Sequence, residues 1–148
     1  MRKTFAPVVV LATAALALTG AAAGGTHATK LNFAATLNAR QEVPHPVGTK
    51  AGAAGKFTAT VTGTKIAWKL TFSHLTGPAN AAHIHAGKKG VPGNVIVPLC
   101  GPCSTGQTGT ATLTSAQLAQ LKAGTTYVNV HTNKNQGGEI RGQIRLVM

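Results

Sequence analysis

The feature that most constrains the fold is a period-two alternation of apolar and polar residues that recurs along the chain. It is clearest in residues 56–62 and 65–72, which are separated only by Gly63 and Thr64. Because successive side chains of a strand point to opposite faces, such segments are typical of strands with one buried face. The short glycine-containing link between them predicts a β-hairpin.

Six further segments carry the same signal. These additional strands are predicted at 31–38, 81–86, 94–99, 107–113, 125–132 and 139–147. About eight short strands, each with one buried face, predict an all-β fold: an antiparallel β-sandwich or a flattened Greek-key barrel. No internal repeat and no Pro/Gly-rich linker divides residues 31–148, so we expect them to form one domain.

One segment breaks the alternation and predicts a short helix. Thr114 can cap its N-terminus with Gln117 three residues later, Leu118 and Leu121 share a face, and Gly124 ends it. The expected fold therefore contains one short helix among the strands.

The first residues have the pattern of a secretory signal peptide. Met-Arg-Lys supplies positive charge, residues 5–18 are apolar, and small residues follow at 20–25. We predict a signal peptide over 1–23 and a flexible segment over 24–30. The apolar run is short for a membrane span and no second one follows, so the expected location is secreted, extracellular or in the cell envelope. An uncleaved anchor is the alternative.

The chain is strongly basic. It has 14 lysines and arginines against two acids, Glu42 and Glu139, for a net charge of +12. Such a charge attracts anions and predicts an anionic cell-envelope polymer as a partner, although solubility of an exported protein would explain it equally well. The basic residues are scattered and lack interleaved aromatic residues, so specific nucleic-acid binding is not expected.

Three of the six histidines fall at polar positions of predicted strands. Ile84 is the large apolar residue of its strand, which places His83 and His85 together on the opposite face. In the strand 125–132, Val128 and Val130 form the apolar pair, which sends Tyr127, Asn129 and His131 outward. The same alternation sends Glu139, Arg141, Gln143 and Arg145 of the last strand outward.

These three histidines are candidate metal ligands. Neutral imidazole is the commonest metal ligand in proteins, and three imidazoles with an open fourth position suit zinc or copper. Because the strand backbone already fixes both side chains, His83 and His85 supply two ligand nitrogens with little loss of conformational entropy. His131 can supply a third if the two strands are neighbours. His-x-His alone is a weak pattern, and surface histidines on an ordinary strand are the alternative.

Glu139 and Arg141 have two interpretations. They could form a surface ion pair contributing less than about 1 kcal/mol. Alternatively, Glu139 could make hydrogen bonds across the sheet that hold the loop after His131, or orient a metal-bound histidine through its second nitrogen.

The pair Cys100-Gly-Pro-Cys103 has the spacing of a thioredoxin redox motif. A redox CxxC normally opens a helix, whereas the sequence after Cys103 is typical of a loop or strand. We therefore predict a local disulfide, as expected for an exported protein. Dithiol exchange and a zinc site shared with histidines are the alternatives.

Four motifs resemble the CHRD domain, in the order found there. They are QEVP at 41–44, AAHIHAG at 81–87, YVNVHT at 127–132 and GGEIRGQI at 137–144. The CHRD domain is named after chordin, an extracellular antagonist of growth-factor signalling, and occurs in many exported bacterial proteins. The resemblance covers about 31–147 and implies a secreted, β-rich domain with no settled activity. It also implies a structural or site role for Glu42 and Glu139.

A weaker similarity concerns copper–zinc superoxide dismutase. It implies that His83, His85 and His131 match copper ligands and that Arg141 matches an arginine near the copper. This chain lacks that family's bridging histidine and zinc-binding loop, and it contains no aspartate. The similarity therefore implies a shared architecture with a mononuclear site, and not dismutase activity.

Three functions follow from these features. The first is a non-enzymatic CHRD module that binds an anionic cell-envelope polymer or an extracellular protein. The second is a mononuclear copper or zinc protein using His83, His85 and His131, and the third is a thiol–disulfide protein. No catalytic residue is predicted, and copper or zinc is the only cofactor considered. A serine nucleophile site is not expected, because no aspartate is present to orient its histidine.

Overall fold

The computed structural model describes residues 28–148. The predicted signal peptide (1–23) and most of the predicted flexible segment (24–30) lie outside the described residues. The strands are β1 (Lys30–Asn38), β2 (Ala54–Thr62), β3 (Lys65–Ser73), β4 (Ala79–Ala86), β5 (Val95–Cys100), β6 (Gln107–Thr112), β7 (Thr126–Thr132), β8 (Ile140–Gln143) and β9 (Arg145–Val147). The helix α1 spans Ser115–Lys122, and a 3-10 turn over Ala39–Gln41 follows β1.

All nine strands belong to one antiparallel sheet. Its order is β5-β4-β7-β8-β1-β2-β3-β6, with β9 beside β1. The sheet curls into a nearly closed barrel, which confirms the predicted all-β fold with one short helix. The predicted last strand is divided at Ile144, whose N–H bonds the carbonyl of Thr126 at 3.0 Å before the chain turns to pair with β1.

The local signals around the hairpin and the helix produce the expected structures. Thr62 pairs with Lys65, and Gly63 occupies the turn with a φ of 61°. Thr114 and Gln117 form a reciprocal capping box at the start of α1. The Gln117 side chain also donates to the carbonyl of Ile96 at 2.7 Å, which fastens the helix to β5. Within residues 28–148, no helix is long and apolar enough to cross a membrane.

The interior of the barrel is apolar. Its fully enclosed side chains come from six of the nine strands and include Phe33, Leu37, Phe57, Ile66, Leu70, Ile84, Val128 and Ile140, none more than 1% exposed. Each such side chain contributes about 1.5–3 kcal/mol through its removal from water. These residues occupy the apolar positions of the alternating pattern, as predicted.

The polar faces of β7 and β8 point away from the apolar core, as predicted, but their side chains are buried. A layer of loops covers these polar side chains and separates them from solvent. Residues 39–48, 87–94 and 133–138 supply this covering through hydrogen bonds to one another and to the sheet. We call the enclosed residues the polar layer: Glu42, His85, Tyr127, Asn129, His131, Glu139, Arg141 and Gln143, each at most 9% exposed.

Packing inside the barrel predicts a glycine-specific position on β6. A methyl group at Gly109 would collide with the indole ring of Trp68, whereas one at Gly77 would meet no atom within 4 Å. We expect Gly109→Ala to lower the free energy of unfolding by about 1–3 kcal/mol. Gly77→Ala, the matched control, should change it by less than about 0.5 kcal/mol in urea unfolding. Equal effects of the two variants would contradict the packing described.

Candidate functional site

Three histidines from neighbouring strands meet at one edge of the polar layer. On β4 and β7, His83 pairs with Asn129 and Ala81 pairs with His131, which places the three rings on the same face. One nitrogen from each of His83, His85 and His131 lies within 4.8 Å of the others. His83 Nδ1 and His131 Nε2 are 3.2 Å apart. We call these residues the histidine cluster.

The remaining histidines do not join the cluster. His45 and His74 are exposed on loops, and His27 lies outside the described residues. Among residues 28–148, the three-histidine group is the only set of three or more histidine, cysteine or acidic side chains close enough to hold one metal ion. The alternative zinc site with Cys100 and Cys103 is therefore not formed.

Backbone carbonyls fix the orientation of two rings. His85 Nδ1 lies 2.8 Å from the carbonyl oxygen of Gly93, and His131 Nδ1 lies 2.8 Å from that of Gln136. A carbonyl only accepts, so in both rings Nδ1 carries the proton and Nε2 keeps its lone pair. The Nε2 of His85 is buried and has no hydrogen-bond partner among the described residues. Glu139 therefore does not orient a histidine, contrary to one expectation.

The cluster favours neutral imidazole. Burial lowers the pKa of His83, and the neighbouring His131 and His85 lower it further. Burial also lowers the pKa of His85 and of His131, although each ring's hydrogen bond to a carbonyl partly opposes the shift. Neutral imidazole is the form that binds metal ions.

A loop over residues 87–94, the covering loop, closes the layer above His85. The N–H of Gly93 donates to the Tyr127 hydroxyl at 3.1 Å, and the Gln143 amide donates to the Gly87 carbonyl at 2.9 Å. Any side chain at Gly93 would collide with the carbonyl of Ala86. This position thus requires glycine so that the loop can approach β4 and present its carbonyl to His85.

Arg141 anchors the covering loop from below. It is 1% exposed, and its Nη2 donates to the carbonyls of Lys88 and Val91 at 3.0 and 2.9 Å. Its guanidinium lies 3.3 Å from the centroid of the Tyr127 ring, and the His85 ring stacks on Tyr127 at 4.9 Å. A desolvated cation–π contact of this kind contributes about 2 kcal/mol. Neither Tyr127 nor Gly93 was predicted to be a site residue. The alternating pattern did place Tyr127 on the same face of its strand as His131, but no sequence signal marked Gly93.

Glu42 closes the layer on the other side. It is 2% exposed, and burial raises its pKa to about 7 despite the opposing effects of the Val43 N–H, Arg141 and Asn129. Gly138 packs against both Glu42 and Asn129, so that any side chain there would displace them. Asn129 in turn pairs with His83 on one side and Arg141 on the other. Glu42 therefore belongs to the same enclosed network as the histidines.

Glu139 holds the loop that follows His131. Its carboxylate accepts from the Thr76 N–H at 2.7 Å and from the hydroxyls of Thr76 and Thr132 at 2.6 Å each. Thr132 Oγ1 also accepts from the Asn135 N–H at 3.2 Å. The alternative ion pair between Glu139 and Arg141 is not formed, because each of the two side chains binds other partners.

The two cysteines form a local disulfide at the end of β5. Cys100 pairs with Ala82 and Cys103 bridges to Ala79, so the disulfide lies beside β4. A turn and then β6 follow Cys103, and not a helix. The structural context of a redox CxxC motif is therefore missing here.

The two buried glutamates should respond to pH in opposite directions. Burial alone would raise the pKa of Glu139, but hydrogen bonds from Thr132 and Thr76 outweigh it and hold the pKa below 4.5. Its carboxylate thus stabilises the fold at neutral pH, and this contribution is lost as the pH falls through the lowered pKa. Glu42, whose pKa is raised, favours the fold when protonated and loses that contribution as the pH rises from 4.5 towards about 7.

We therefore expect Glu139→Gln to cost about 1–3 kcal/mol of unfolding free energy at neutral pH and progressively less in acid. Relative to the unmodified protein, Glu42→Gln should become more stable as the pH rises from about 5 to about 8. Urea unfolding from about pH 3 to about pH 8 measures both isosteric variants, which remove the same charge. Parallel pH profiles for the two would contradict the environments described.

One known protein family matches this chain. Neither a curated protein nor a solved structure matches the chain significantly, so the similarity to superoxide dismutase stays an analogy. The family model of the CHRD domain matches residues 33–144, which include every residue of the polar layer and the histidine cluster. The chain belongs to the CHRD-domain family.

Proposed function

We propose that this CHRD-domain protein binds one copper or zinc ion through His83, His85 and His131. The observation that supports this function is the convergence of three imidazole nitrogens within 4.8 Å, two of them with lone pairs oriented by carbonyl hydrogen bonds. Metal-binding histidines typically donate their other N–H to a carbonyl or carboxylate, which is the arrangement of His85 and His131.

The distances suit a small ion. Two nitrogens at about 2.0–2.1 Å from a tetrahedral zinc ion are about 3.3 Å apart. The separation of His83 Nδ1 from His131 Nε2 is 3.2 Å. In the metal-free protein this contact is a hydrogen bond, because His131 Nε2 must accept from His83 Nδ1–H. Binding would move that proton from Nδ1 to Nε2 of His83 and bring the three nitrogens, now within 4.8 Å of one another, closer together.

The ligand set leaves one coordination position open, as catalytic zinc sites do, whereas structural zinc sites are closed by four protein ligands. Three neutral imidazoles leave a fourth position for water, and no described carboxylate lies among them. A bound zinc or copper ion would act there as a Lewis acid. Arg141 and Tyr127 would hold His85 in place, and the covering loop would keep water from that side. We propose that the protein acts outside the cell or in its envelope, which the signal-peptide pattern and the disulfide support.

Titration of the purified protein with copper or zinc tests this function. We expect one ion per chain, with changes in the ring signals of the three cluster histidines by NMR. His83→Ala, His85→Ala and His131→Ala should each weaken binding by more than the about 10- to 100-fold that loss of a residue orienting a ligand costs.

His45→Ala and His74→Ala are the matched controls, because both histidines are exposed and lie outside the cluster. These variants should bind the metal as tightly as the unmodified protein. No heat and no ring-signal change with either metal would overturn the proposal. So would equal losses in the control and cluster variants.

A second candidate function is supported by the distribution of charge. The chain carries a net charge of +12, and both of its acids are buried, so no carboxylate side chain faces solvent. A surface of this kind favours an anionic polymer of the cell envelope as partner over an uncharged one. This proposal makes the protein a binding module, independently of whether a metal is bound.

A further inference from the structure

One outer face of the barrel combines lysines and threonines and contains no acid. The pairing of β1, β2, β3 and β6 places their solvent-facing residues in rows, for example Thr58 opposite Lys69 and Lys69 opposite Thr108. Every one of these side chains is exposed or half-buried. We call this surface the lysine–threonine face: Lys30, Asn32, Thr36, Lys56, Thr58, Thr60, Thr62, Lys65, Lys69, Thr71, Thr108, Thr110 and Thr112.

The charge of this face is not neutralised. Glu42 and Glu139, the two acids of the chain, are 2% and 0% exposed and belong to the polar layer, away from this face. Lys65 and Lys69 lie about 13 Å apart along β3, and Lys56 lies about 8 Å from Lys69 on the neighbouring strand. The face thus presents separate positive charges, with threonine hydroxyls and the small side chain of Ala67 between them.

The shape of this face suits an extended chain. Two shallow grooves lie side by side on it, with volumes of about 670 and 530 Å³. Lys56 and Lys69 line the first, and Lys30 and Lys65 line the second. The floor of the first groove is partly apolar, because the groove is also lined by Ala34, Ala67, Gly109 and Val147.

We propose that the lysine–threonine face binds a linear acidic polysaccharide whose carboxylates pair with the lysines and whose hydroxyls bond the threonines. This inference rests on the second candidate function and names its surface and ligand. Duplex DNA fits less well, because it carries one charge per about 1.7 Å of axis, far denser than these lysines. The face also has no exposed aromatic ring to stack bases, since Trp68 and Phe33 are buried.

The test uses polygalacturonate as the probe and dextran as the uncharged comparison, by calorimetry at low salt. We expect binding to polygalacturonate only, weakening as salt rises. Lys56→Gln with Lys69→Gln should weaken it about tenfold, as expected for the loss of two exposed ion pairs. Thr58→Val with Thr110→Val should weaken it about fivefold without any change of charge.

Lys50→Gln with Lys89→Gln is the charge-matched control, because both lysines are exposed and lie off this face. It should leave the affinity within about twofold of the unmodified protein. Equal losses for the two lysine pairs would mean that net charge alone attracts the polymer and would overturn the proposal. So would tighter binding of duplex DNA with the same dependence on Lys56 and Lys69, or no binding of polygalacturonate.

Polygalacturonate binding can succeed or fail independently of metal binding. His131 lies on β7, away from the lysine–threonine face. The His131→Ala variant should therefore bind polygalacturonate as tightly as the unmodified protein. Loss of polysaccharide binding in this variant, with its fold intact by circular dichroism, would also contradict the assignment to this face.

Discussion

The buried charge of Arg141 is the constraint on which the rest of the site depends. A guanidinium enclosed by protein is tolerated only when its N–H groups and charge find partners. For Arg141, Nη2 donates to the carbonyls of Lys88 and Val91 and the charge lies over the ring of Tyr127, whereas Nη1 is buried with no hydrogen-bond partner among the described residues. These contacts require the covering loop to lie close to the sheet. The same loop then brings the Gly93 carbonyl to His85 and so orients a ring of the histidine cluster.

The four family motifs acquire a physical meaning from this arrangement. The first contains Glu42, the second His83 and His85, the third Tyr127 to Thr132, and the fourth Glu139 to Gln143. Together they supply the whole polar layer and the histidine cluster. The shared pattern of the CHRD domain in this chain thus describes a second, polar interior beside the apolar one. The residues of the lysine–threonine face, in contrast, all lie outside these motifs.

Much of the fold could be predicted from the sequence, because alternation and turn residues are local. The Gly63-Thr64 hairpin, the Thr114–Gln117 cap and the face occupied by His83 and His85 all follow from neighbouring residues. The burial of the polar faces did not follow, since alternation looks the same whether a polar face meets water or a covering loop. Only contacts between distant residues decide that, such as those of Glu139 with Thr76, 63 positions away.

The sequence was enough to predict which histidines form the site, but not which ring nitrogen of each carries the proton. The three histidines share a face by alternation, yet their tautomers depend on carbonyls of Gly93 and Gln136 that no local pattern places. The central claim is that these carbonyls hold His85 and His131 ready to bind a metal. Two-bond ¹H–¹⁵N NMR spectra of the metal-free protein at about pH 7 measure this directly. We predict neutral rings protonated on Nδ1 for both residues; protonation on Nε2, or a charged imidazolium, would contradict the account.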